Sequence, residues 1–105
     1  MDIKVNDAEW KGLSKDQQGH IEAIISGFFK GNRIVASPAA PKAAAATRAA
    51  APAAAAADSI CESACTILEA GAIAACNLIP DPTGIAKGIC IGVAKLAGNE
   101  CRKLC

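Results

Sequence analysis

Apolar positions recur at helical spacing in two separate parts of this 105-residue chain, and a stretch with almost no pattern divides them. In the first part, Ile21, Ile24, Ile25 and Phe28 fall on one face of a helix turning about 100° per residue. Ser14 precedes that run with Gln17 three positions on, a capping box in which each side chain satisfies an amide of the other. Lys30 and Gly31 supply a terminal charge and a stop. Gly19 and Gly27 each weaken such a helix by about 1 kcal/mol relative to alanine. The pattern predicts a leader-like segment, residues 1–35, with a short lead-in and one marginal amphipathic helix. Its apolar stripe calls for a cover: either the rest of the chain, or an exporter or processing protease that would recognise Ile21, Ile24, Ile25 and Phe28.

Residues 36–57 have low complexity. Pro38, Pro41 and Pro52 interrupt any long helix, whereas the alanine runs between them favour short ones. Alanine offers too little side chain to build a core, so the stretch reads as a tether of roughly 30 Å if helical and roughly 70 Å if extended.

Helical periodicity returns in residues 58–105, and with it all six cysteines. Their spacing, Cys61-x3-Cys65-x10-Cys76-x13-Cys90-x10-Cys101-x3-Cys105, is the same in both directions. On a helix, Cys61, Cys65 and Cys76 lie within about 60° of one another, and so do Cys90, Cys101 and Cys105. Ser59 with Glu62 forms a second capping box that starts the first rod. Pro80, Asp81 and Pro82 then turn the chain between Leu78 and Thr83, and a second rod runs to about Lys103. Two helices joined by a short loop are antiparallel neighbours. The expectation is an all-α fold: a disulfide-stapled hairpin with nested bonds Cys61–Cys105, Cys65–Cys101 and Cys76–Cys90, plus a separate N-terminal helix.

Disulfides draw Cβ atoms to about 3.8 Å, which bulky helix pairs prevent. Ala72 and Ala75 on the first rod, and Ala86, Ala94 and Ala97 on the second, are suitably small neighbours, with Leu68, Ile79, Val93 and Leu104 to fill the seam. Six cysteines allow fifteen pairings, and spacing by itself does not exclude the others. Four thiolates at the open end, Cys61, Cys65, Cys101 and Cys105, would also suit zinc or an iron–sulfur cluster. Cys76 and Cys90, about 16 Å further along the rods, would have no part in it, so no metal or other cofactor is expected. Thioether cross-links would need hydroxyl partners, and Ser59, Ser63, Thr66 and Thr83 are too few for six cysteines.

Size and charge sharpen the picture. A 48-residue unit is below the size at which burial alone offsets chain entropy, so staples are the expected remedy. Such cysteine density belongs to an oxidising compartment, yet Asp2, Asp7 and Glu9 do not suit a standard secretory signal. Secretion by a non-standard route is the expectation. The balance of 11 Lys plus Arg against 10 Asp plus Glu, with Trp10, Phe28 and Phe29 as the only aromatics, excludes a nucleic-acid face.

Enzymatic chemistry has no constellation to stand on. His20 is the single histidine and is expected in solvent, and Glu62 and Glu69 lack a partner base. The Cys-x3-Cys pairs are not the Cys-x2-Cys redox signature.

The second rod carries the expected interaction surface. Gly84, Gly88 and Gly92 form a ridge that lets another backbone approach, Ile85, Ile89 and Leu96 are apolar, and Lys87 and Lys95 are placed to snorkel toward headgroups.

Three resemblances attach to these residues. Pairing of the first cysteine with the sixth, the second with the fifth and the third with the fourth resembles the saposin-like membrane-active proteins. The paired Cys-x3-Cys motifs resemble α-hairpinins and the twin-cysteine chaperones of the mitochondrial intermembrane space. The layout of leader-like helix, tether and cysteine-rich core is similar to bacteriocin and other ribosomal peptide precursors. They cover the last 48 residues and the overall layout. They imply a secreted antimicrobial precursor whose hairpin acts on a target-cell membrane or membrane protein, or else a non-lytic module that binds protein or lipid.

Overall fold

In the computed structural model, which describes residues 2–40, 42, 60–81 and 83–104, the chain opens with a strand rather than an unstructured lead-in. Strand β1 (Asp2–Asn6) is followed by helices α1 (Asp7–Lys11) and α2 (Lys15–Phe28) and by strand β2 (Arg33–Ser37). The strands pair in parallel, Ile3 opposite Ile34 and Val5 opposite Ala36. The all-α expectation is corrected here: the protein is mostly helical but includes this strand pair. A parallel pair needs a crossover, and α1 with α2 provides it. Ile3 and Val5 face inward while Asp2 and Lys4 face solvent, the period-two pattern of a half-buried strand. At one end of the sheet, Arg33 donates to Asp2 Oδ1 through both Nε (3.2 Å) and Nη2 (3.1 Å), which marks the register.

Asn6 ends β1 and caps α1, its Oδ1 accepting from the Glu9 amide at 3.1 Å. The capping box expected at Ser14 and Gln17 is formed in both directions, at 3.2 and 3.1 Å. Gly31, with φ of 85°, takes the left-handed turn that leads from α2 into β2.

The C-terminal part is the helical hairpin. Helix α3 spans Ile60–Cys76 and helix α4 spans Ile85–Lys103. The proposed cap Ser59 lies outside the described residues, as do Pro82 and the tether from 43 to 57. Helix α4 starts two residues later than the pattern implied. Asp81 organises that start from the turn: Oδ1 accepts from the Thr83 amide at 3.1 Å and hydroxyl at 2.7 Å, and Oδ2 accepts from the Ala86 and Lys87 amides at 2.6 and 3.4 Å. The carboxylate is thus held below the ordinary range, first by the Thr83 hydroxyl; partial desolvation opposes this and the backbone amides reinforce it.

The two parts share one core. Ile3, Val5, Trp10, Leu13, Ile21, Ile25 and Phe29 from the N-terminal unit are buried in the same cluster as Ala72, Cys76, Ile79, Ile89, Cys90 and Val93 from the hairpin. Helix α2 packs on both α3 and α4, and β1 meets α4. The N-terminal helix is therefore built into the hairpin's core. Phe28 crosses α3 at Gly71, where a Cβ would come within 2.6 Å of its ring.

Candidate functional site

Mirror spacing of the cysteines places two staples between α3 and α4. Cys65 is bonded to Cys101, with Cα atoms 5.8 Å apart, and Cys76 to Cys90, with Cα atoms 5.6 Å apart. Cys61 is also disulfide-bonded, and its expected partner, Cys105, lies outside the described residues. Ala72, Ala86, Ala94 and Ala97 are fully buried along the seam, which is what lets the backbones approach this closely. Ile79 and Val93 fill the seam as expected, while Leu104 is largely exposed.

Beside the Cys65–Cys101 staple lies a feature that sequence reasoning missed. Glu69 and Arg102 are buried, and Arg102 Nη1 donates to Glu69 Oε2 at 3.2 Å while Nη2 donates to Asn99 Oδ1 at 3.3 Å. The glutamate crosses α4 at Gly98, where a Cβ would lie 2.8 Å from Oε1 and 3.1 Å from the Glu69 Cβ. A signal was available: Glu69 falls four residues after Cys65 and seven before Cys76, on the cysteine stripe itself.

The second-rod surface is divided. Gly84, Ile85 and Gly88 are exposed, Lys87, Lys95 and Leu96 are half-buried, and Ile89 and Gly92 are buried in the fold. Gly84 has φ of 78° at the N-terminus of α4, so its conformation serves the turn. The expected leader-recognition residues lie against the hairpin, Ile21 and Ile25 fully buried and Ile24 and Phe28 packed on the core. His20 is exposed.

The open apolar face is on α3 instead. Ile60, Ala64, Ile67 and Ala74 recur at spacings of four, three and seven, and Leu78 continues the row just past the helix end. All are exposed, Ile60 at 91%, Ile67 at 71% and Leu78 at 83%. Glu62, Ser63 and Thr66 lie to one side, half-buried. The row is free of charge, and Phe28 crosses it at Gly71, between Ile67 and Ala74. Pattern reading missed it because Glu62, Ser63 and Thr66, with Asn77 just past the helix end, mark a polar side on α3 that lies beside the row, and the apolar residues on the rest of the helix do not tell outside from inside.

A groove of about 730 Å³ lies at the junction of the two parts, lined by Phe28, Phe29, Lys30, Leu68, Glu100 and Leu104 among others. Among the described residues, no cluster of three or more His, Cys, Asp and Glu side chains could hold a metal, and no helix is long and apolar enough to cross a membrane. No family model, curated protein or solved structure matches this chain.

Proposed function

We propose that the chain is a bacteriocin-like precursor, exported by a non-standard route, whose stapled hairpin acts on the membrane of a target cell. The observation that carries this reading is the exposed apolar row on α3, mounted on a helix pair that its disulfides hold rigid. Burying such a row in the boundary between headgroups and acyl chains is favourable at about 25 cal/mol per Å² of apolar surface. The lipid contact is interfacial rather than spanning. The disulfides are compatible with an extracellular location.

Dye release from lipid vesicles, by the oxidised full chain before and after cutting between residues 43 and 57, tests the reading. Release by the cut chain, abolished by Ile67→Lys, supports it. Inactivity of both forms at high micromolar concentration removes it.

The second reading, a non-lytic module that binds a protein or lipid, is favoured by the shared core, since an N-terminal segment built into the fold is what an intact binding protein would have. Recovery of one defined partner by the intact chain, with vesicles left sealed, would select it.

A further inference from the structure

The two parts of this core differ in how they are held. Every cysteine lies between residues 61 and 105, so no disulfide ties residues 2–40 to the hairpin. These polar bonds are each internal to one part or the other: Asp2 with Arg33, Ser14 with Gln17, Asn6 Nδ2 with the Ala40 carbonyl at 3.1 Å, Glu69 with Arg102. Apolar packing joins them among the described residues, centred on Phe28 over Gly71 and on Ile21 and Ile25 in the common cluster.

The parts also differ in self-sufficiency. A two-stranded sheet is marginal alone, and a unit of about 40 residues without staples or metal seldom folds unaided. The hairpin carries the staples that units of this size use to offset a small core.

We propose that residues 2–40 are a separable, noncovalent cap that is folded only while seated on the hairpin. Cutting the connecting segment leaves a two-piece complex with the Ile89 and Val93 side of α4 still covered. Dissociation is the step that uncovers it, and unfolding of the freed cap weakens its return by the cost of ordering it again. Trp10, the only tryptophan, is 9% exposed in the shared core and reports the seating.

The test uses the oxidised full chain carrying a protease site between residues 43 and 57, cut to completion. The pieces should co-elute on size exclusion at micromolar concentration with Trp10 emission unchanged. In moderate urea the N-terminal piece should separate, its emission shifting to that of water-exposed tryptophan, while the hairpin keeps its helical circular dichroism. Gly71→Leu should displace Phe28 and weaken retention at least tenfold, whereas Gly19→Ala, with nothing within 4 Å of the added carbon, should not. The proposal is overturned if the cut pieces part at once in buffer, if the separated N-terminal piece keeps buried-type emission, or if Gly71→Leu retains the piece as tightly as the unaltered chain.

Discussion

The Glu69 carboxylate meets the Arg102 guanidinium at 3.2 Å across the hairpin, with both side chains almost wholly withdrawn from water. A buried pair of this kind adds little net stability over apolar residues of the same shape, but losing one partner strands a charge. Arg102→Leu is therefore expected to destabilise the oxidised protein by about 3–5 kcal/mol, and Glu69→Met combined with Arg102→Leu to recover most of that loss. Urea unfolding with the disulfides intact measures both.

Gly98 lies beneath that pair. An alanine there would push against the Glu69 Cβ at 3.1 Å, an atom fixed by its own backbone, so Gly98→Ala should cost about 1–3 kcal/mol. Gly88→Ala, in the same helix with open space around it, should be neutral or stabilising by up to about 1 kcal/mol. Thermal melts of the two variants side by side check the contrast.

Asp81 gives stability a dependence on pH. Its carboxylate is held below the ordinary range in the fold, so its contribution is present above the unfolded value and is lost as pH falls through the folded one. Asp81→Ala should melt below the unaltered protein at neutral pH. That gap should narrow only below about pH 4.

The inner staple closes a separation of 14 residues. Replacing Cys76 and Cys90 together by alanine should cost about 3 kcal/mol in the chain-entropy view. A loss near zero in denaturant unfolding would mean that packing at Ala72 and Ala86 fixes the turn end unaided.

How far the sequence foretold this depended on what repeats. The hairpin and its pairing were legible because helical spacing and mirror symmetry agree at Cys65, Cys76, Cys90 and Cys101. The Ser14 box was legible because it is local. The β1–β2 pair was not: five-residue strands offer two inward positions each, and Ile3 meets Ile34 only after an intervening crossover. The outward faces were legible only in part, for a related reason. Helix α4 looked apolar and unpartnered in isolation, yet β1 and α2 cover part of it, and the exposed row falls on α3. Which of two apolar helices a third element covers is settled by tertiary packing, as at Phe28 and Gly71.

The linkage of the sulfurs tests the account most directly. Glu62 and Glu69 separate Cys61, Cys65 and Cys76, and Lys87, Lys95 and Arg102 separate Cys90, Cys101 and Cys105, so glutamate- and lysine/arginine-specific digestion puts each cysteine on its own peptide. Mass spectrometry of that digest without reductant should find Cys65 joined to Cys101 and Cys76 joined to Cys90. Cys61 joined to Cys65, or free thiols along the chain, would contradict the stapled hairpin.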